Sequence, residues 1–192
     1  MPQLILGSSS PFRKAILDKL NLDYQTASPD IDETPLSNEA PQDYVARLAE
    51  AKARRLQNDY PDALIIGSDQ TAVINGQIIG KPGDHATAVQ QLSDASGQKI
   101  TFYTGLCLLN AATDRVQVET VPFHVHFRQL TDQMIENYLQ LEKPYNCAGS
   151  FKSEGAGIAL FERLEGEDPN TLIGMPLIRL IRMLENENMQ VI

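Results

Sequence analysis

Between Leu64 and Ile79 the chain carries two signals that constrain its fold more than any other stretch. Leu64-Ile65-Ile66-Gly67 is a continuous apolar run, as expected of a central strand covered on both faces. Further on, Asn75-Gly76 separates Thr71–Ile74 from Gln77–Ile79. Asn-Gly between two apolar runs is a strong two-residue hairpin signal, because both residues accept the positive φ of a tight turn. A covered central strand asks for helices around it, and a hairpin asks for antiparallel pairing. The sequence therefore predicts an α/β fold with a mixed sheet flanked by helices.

The remaining elements fit this frame. Leu4–Gly7 reads as a short buried strand, and Ser10 caps a helix that Pro11 opens. A strand is expected near Tyr24–Ala27, followed by the acidic loop Asp30–Pro35. Pro41 starts a long helix running to about Asn58. Asp84 caps a helix ending near Gly97, and strands are expected over about 100–109 and 116–127. A helix over 131–140 follows, then a glycine-rich segment, a strand over 157–161 and a last helix opened by Pro176.

The chain has 192 residues, 42% of them hydrophobic and 21% charged, enough for one well-buried domain that spans 1–192 with or without two lobes. No run has the apolar length of a membrane span, and the start lacks the pattern of a signal peptide. Cys107 and Cys147 are too few and too far apart to suggest a disulfide framework or a zinc site. Together these features point to the cytoplasm, with no membrane partner. A net charge of −9 without a basic tail argues against binding a nucleic-acid polymer. A small polyphosphate stays open to such a chain if its few cations are focused in one place.

Several residues could do that. Ser8-Ser9-Ser10-Pro11-Phe12-Arg13-Lys14 joins a strand to a helix start, where free N–H groups, hydroxyls and cations suit a phosphate. It also reads as a serine-rich cap followed by surface charges. On the helix from Pro41, Val45, Leu48, Ala49 and Leu56 share one face, and Lys52 falls in the middle of it. A lysine there needs a partner, a wet cleft or a stem long enough to reach solvent. Asp69 follows the central strand and suits a general base or metal ligand, or a turn. Continuing the hairpin register from Ile74 opposite Gln77 would bring Lys81 near Asp69, given a bend at Gly80. Asp30, Asp32 and Glu33 could hold a hard cation or be solvated. Glu154, between glycines, reads as a loop charge that could accept from the N–H edge of a guanine. His124 and His126 share a strand face without an evident third ligand.

In order and spacing these segments resemble the Maf family of nucleoside triphosphate pyrophosphatases. The resemblance covers nearly the whole chain. It rests on Ser8–Lys14, Asp32-Glu33-Thr34-Pro35, Ala51-Lys52-Ala53, Ile66-Gly67-Ser68-Asp69-Gln70, Gly80-Lys81-Pro82 and Thr101–Gly105. Cys147–Gly155, Phe161–Gly166 and Asp168-Pro169-Asn170-Thr171 look like the branch that acts on 7-methyl-GTP. Two positions depart from the pattern. Position 12 carries Phe, where that branch often has Trp and the dTTP/UTP branch Arg, and position 14 carries Lys rather than Arg.

The resemblance implies a Maf/ITPase-like fold, an elongated mixed sheet with two lobes around a central cleft. It implies hydrolysis of a modified nucleoside triphosphate to its monophosphate and pyrophosphate, with a divalent cation, Mg²⁺ or Mn²⁺. By the family pattern Asp69 is the proton acceptor and Glu33 lies close to the metal. Ser8, Ser10, Arg13, Lys52 and Lys81 line the phosphate site, and Phe12, Gln70 and Glu154 separate the substrate branches. A homodimer is compatible with the resemblance. The alternatives are the dTTP/UTP chemistry of the sister branch and a non-catalytic nucleotide-binding regulator of cell division.

Overall fold

The computed structural model describes residues 2–192. Its sheet has seven strands, β1 (Leu4–Gly7), β2 (Gln25–Ala27), β3 (Leu64–Ile74), β4 (Gln77–Ile79), β5 (Lys99–Asn110), β6 (Arg115–Phe127) and β7 (Phe161–Glu165). The order is β2-β1-β3-β5-β6-β7, with β4 paired to β3 outside that path. β1 runs parallel to β2 and β3, while β3–β4 and β6–β7 are antiparallel. The sheet is therefore mixed, as the hairpin signal required. The helices are α1 (Pro11–Leu17), α2 (Pro41–Arg55), α3 (His85–Ala95), α4 (Asp132–Glu142), α5 (Asn170–Ile173) and α6 (Leu177–Asn186). No helix among the described residues is long and apolar enough to cross a membrane.

The chain forms two compact units. The first comprises 1–70, 104–121 and 168–192, and the second 71–103 and 122–167. In the first unit, strand periodicity sorts the core into two layers. Leu4, Leu6, Leu64, Ile66, Leu106 and Leu108 pack with Ile16 and Leu17 of α1 and Leu177, Leu180 and Leu184 of α6. Their neighbours Ile5, Ile65, Cys107 and Leu109 pack against Ala49 and Ala53 of α2. Successive strand residues face opposite layers, so position 65 and its odd successors look toward α2. Glycine at 67 and 105 lets α2 come close. A Cβ at Gly67 would lie 2.0 Å from the Ala49 carbonyl oxygen, and one at Gly105 2.1 Å from that of Val45.

In the second unit, Phe102, Phe127, Phe151 and Phe161 pack edge to face, with centroids 5.0–5.6 Å apart. Phe151 anchors the glycine-rich segment there. The turn at Asn75-Gly76 has positive φ at both residues, 49° and 80°, and Ile74 pairs with Gln77 as the turn type demands.

Three details differ from the sequence reading. β3 is one strand from Leu64 to Ile74 rather than two, because nothing between Gly67 and Thr71 interrupts its pairing chemistry. Residues 156–160 form a 3₁₀ turn, and the strand begins only at Phe161. Buried Gly157 and Leu160 had mimicked a strand in this short apolar run, whose period does not separate the two forms. The long helix stops at Arg55, and Leu56 to Asp59 finish it as turns.

Candidate active site

The odd face of β3 continues from Ile65 through Gly67 to Asp69, and Lys52 stands one turn from Ala49 on the facing side of α2. The two periodicities bring Lys52 and Asp69 together. Lys52 Nζ donates to Asp69 Oδ1 at 2.6 Å and also pairs with Glu33 Oε1 at 2.7 Å. Lys52 and Asp69 are each only 8% exposed, whereas the Glu33 side chain is 56% exposed. The lysine on the apolar face is thus partnered, which resolves the choice its position left open.

Burial pushes the Asp69 carboxyl above its ordinary range. Lys52, by charge and hydrogen bond, and then Arg13 pull it back, while Glu33 adds to the rise. Burial likewise lowers Arg13 from its usual value, against the pull of Asp69 and Glu33, and a guanidinium stays charged through such a change. Tyr44 on α2 donates to the Glu33 carbonyl oxygen at 2.9 Å, and Arg47 reaches Thr34 O at 3.3 Å and Glu39 at 2.6 Å. These two side chains tie the acidic loop to the helix that carries Lys52. The sequence reading missed them, although both stand on the same helix, α2, within about two turns before Lys52.

Ser8 is buried, and its Oγ accepts from Ser10 N at 3.1 Å. Ser10 caps α1 through a 3.4 Å bond from Arg13 N. Phe12 beside it is 40% exposed. Lys14, by contrast, turns to Asp18 at 3.8 Å and to the Tyr24 ring. On the even face of β3, Ser68 Oγ donates to Gly174 O at 2.8 Å, and Gln70 Nε2 to Thr171 O at the same distance. Ser8, Ser10, Phe12, Arg13, Glu33, Lys52, Asp69 and Gln70 therefore all belong to the first unit.

Lys81 and Glu154 belong to the second unit and are both exposed there. The β3–β4 ladder ends at Ala72 opposite Ile79, so Lys81 lies beyond the register rather than inside it. Its segment is held by Gly83 N donating to Tyr145 O at 3.0 Å and by Gln91 Nε2 donating to Gly80 O at 3.2 Å. Ser150 Oγ donates to Oε1 of the same Gln91, which ties this segment to the one carrying Glu154. Lys152 N donates to Tyr138 Oη at 2.9 Å, and Ala156 N to Glu142 Oε1 at 2.7 Å, flanking Glu154 on both sides. The Cys147 thiol, raised first by burial, feels Glu154 as well as Lys152 and Lys81. Two residues remote in sequence thus gather near one thiol.

Among the described residues no three His, Cys, Asp or Glu side chains cluster as a complete metal cage. The half-exposed Glu33 is the carboxylate that would suit Mg²⁺ or Mn²⁺ if phosphate oxygens and water completed the set. Asp32 spends Oδ1 on Thr34 N at 2.9 Å. His124 meets Thr101 Oγ1, and His126 meets Glu165, each at 3.0 Å.

A buried carboxylate of raised pKa, bridged by a lysine and backed by an arginine, is equipped for proton abstraction beside a polyanion. Comparison with known proteins gives this arrangement its context. Residues 3–187 match the family described as Maf-like protein. The chain belongs to the Maf family. A 7-methyl-GTP pyrophosphatase of Alcanivorax borkumensis is 58% identical over 189 residues, which covers 98% of this Maf chain and 96% of that protein.

Proposed function

We propose that this Maf protein hydrolyses 7-methyl-GTP to 7-methyl-GMP and pyrophosphate. The observation that carries the mechanism is the buried contact between Lys52 and Asp69 at 2.6 Å. The substrate rests on 58% identity to a 7-methyl-GTP pyrophosphatase over nearly the whole chain.

Asp69 takes a proton from the water that attacks the α-phosphorus. The bond from that phosphorus to the bridging oxygen breaks, and pyrophosphate leaves with the electron pair. A carboxyl lifted by burial holds a water proton better than an ordinary one, and so is the stronger base. Lys52 steadies the ionised carboxylate before attack. Arg13 and Lys52 offset the charge that gathers on the leaving group, with the Ser8 and Ser10 hydroxyls as further donors. Glu33, with phosphate oxygens and water, would hold a divalent cation, Mg²⁺ or Mn²⁺, which when bound supplies positive charge against the triphosphate.

Methylation at the 7 position makes the guanine cationic. The exposed Phe12 ring offers it an attractive face. Gln70 joins Phe12 as a specificity residue. A cytoplasmic location and a homodimer complete the proposal, the latter to be read by sedimentation.

The test is pyrophosphate release from 7-methyl-GTP, GTP, dTTP and UTP, with Mg²⁺, with Mn²⁺ and after chelation, for wild type and Asp69→Asn. The expected result is preference for 7-methyl-GTP, dependence on the cation, and a loss of about 100-fold or more in the variant. Preference for dTTP or UTP would overturn the substrate, and full turnover by folded Asp69→Asn would overturn the base.

A further inference from the structure

Backbone carbonyls of the turn from Asp168 to Gly174 accept hydrogen bonds from four side chains, two of which, Arg13 and Gln70, belong to the proposed nucleotide site. Gly174 O accepts from Arg13 Nε at 3.0 Å and from Ser68 Oγ at 2.8 Å. Thr171 O accepts from Gln70 Nε2 at 2.8 Å and from Thr104 Oγ1 at 3.0 Å, and Gln70 Nε2 also lies 2.9 Å from Thr104 Oγ1 and 3.2 Å from Leu172 O. The turn is itself held from inside. Asp168 is 2% exposed, and its Oδ1 accepts from Asn170 N at 2.8 Å and Asn170 Nδ2 at 2.7 Å. Its Oδ2 accepts from Ile178 N at 2.9 Å, in the first turn of α6. Only a carboxylate accepts at both ends in this way.

We propose that the Asp168–Gly174 turn is a positioning element for the reaction, setting the directions of Arg13 and Gln70 through its backbone carbonyls. This rests on the nucleotide-hydrolase reading above. Spending Nε on Gly174 O fixes the plane of the Arg13 guanidinium and leaves its two terminal nitrogens as the fork for phosphate oxygens. Around Gln70 Nε2 stand two carbonyl oxygens and a hydroxyl, so the amide nitrogen must face them. Its remaining polar atom, Oε1, can serve the nucleotide only as an acceptor.

Gly174 is where this coupling can be tested most directly. It has φ +104°, and a Cβ there would lie 3.1 Å from Arg13 Nε and 3.4 Å from one terminal nitrogen. A methyl group therefore strains the backbone and moves the guanidinium, which is the flexible neighbour.

The experiment compares wild type, Gly174→Ala, Arg13→Ala and the double variant. Pyrophosphate binding is measured by calorimetry, KM and kcat with 7-methyl-GTP, and folding by circular dichroism. Gly174→Ala is expected to weaken pyrophosphate binding and raise KM about tenfold, with a smaller change in kcat. The double variant should bind pyrophosphate within about twofold of Arg13→Ala, because Gly174 acts through that side chain. Losses that multiply in the double variant, or unchanged pyrophosphate affinity in folded Gly174→Ala, would overturn the proposal. Thr104→Val supplies a second arm that leaves the Gly174 backbone alone. It should alter the ratio of 7-methyl-GTP to GTP turnover and leave pyrophosphate affinity as it is, and an unchanged ratio would count against the Gln70 half. Pyrophosphate binding needs no turnover. A protein that binds it in this Arg13- and Gly174-dependent way but hydrolyses no nucleotide would refute the proposed activity and keep the positioning turn.

Discussion

One ammonium joins a buried carboxylate to an exposed one: Lys52 Nζ lies 2.6 Å from Asp69 Oδ1 and 2.7 Å from Glu33 Oε1. Burial has already raised the Asp69 pKa, and Lys52 supplies the largest opposing effects. Lys52→Met removes them, so the Asp69 pKa should rise further and the acid limb of kcat/KM should move to higher pH. The effect on stability has a definite sign. With its folded pKa above the unfolded value, Asp69 binds a proton in the folded state that the unfolded chain releases. Stability of the variant then falls as pH rises through the folded pKa. The loss relative to wild type should be about 3 kcal/mol near pH 8 and smaller near pH 5. Urea denaturation at both pH values checks this, and a loss independent of pH would contradict the pairing.

Gly67→Ala tests how the pair is brought together. The added Cβ would stand 2.0 Å from Ala49 O and 3.1 Å from Ala53 N, both of them backbone atoms that cannot swing aside. α2 must move away from β3, at a cost of about 1–3 kcal/mol. Since Lys52 rides on α2, turnover per folded molecule should fall as well. Gly80→Ala is the control, because nothing lies within 4 Å of its Cβ position and its φ is not positive. Thermal unfolding should show a lower Tm for the first variant and a change within about 0.5 kcal/mol for the second.

These two sites also mark what the sequence made legible. Lys52 stood out because a cation interrupted an apolar helix face, and Asp69 because it followed a continuous apolar strand. The first signal is a period and the second a position beside an apolar run, and both survive without coordinates. The link from Arg13 to Gly174 spans 161 positions and uses a backbone carbonyl, a group that every residue carries. No pattern of side chains could announce it. The same holds for Gly83 N on Tyr145 O. The 3₁₀ turn at 156–160 was missed for a different reason, since a short apolar run between glycines has no period that separates turn from strand.

Phe12 is 40% exposed in the first turn of α1, so changing it should leave stability within about 0.5 kcal/mol. Its effect should be on selectivity. Phe12→Trp offers a stronger aromatic face to a cationic base, and Phe12→Arg a repulsive charge. The ratio of kcat/KM for 7-methyl-GTP over GTP should rise up to about tenfold in the first and fall below wild type in the second, which corresponds to about 0.5–1.4 kcal/mol of interaction. Identical ratios in all three proteins would rule out stacking on position 12.

Cys147 provides a readout of the second unit, and Cys107 of the first is its internal control. Cys107 is fully buried on the α2 side of the sheet, with its thiol pushed up to about 12. Cys147 is only partly buried, and although burial raises it too, Lys152 and Lys81 oppose the rise. Alkylation needs thiolate and access, so a maleimide near pH 8 should label the native protein once, at Cys147, and the urea-unfolded protein twice. Because Lys81 and Glu154 act on that thiol, a bulky adduct should lower kcat/KM for the nucleotide. Cys147→Ser should resist the reagent and keep most of its turnover. Peptide mapping with parallel assays distinguishes the outcomes. Full activity after complete labelling would separate Cys147 from the substrate, and labelling of Cys107 in the native protein would show that the layer beneath α2 opens.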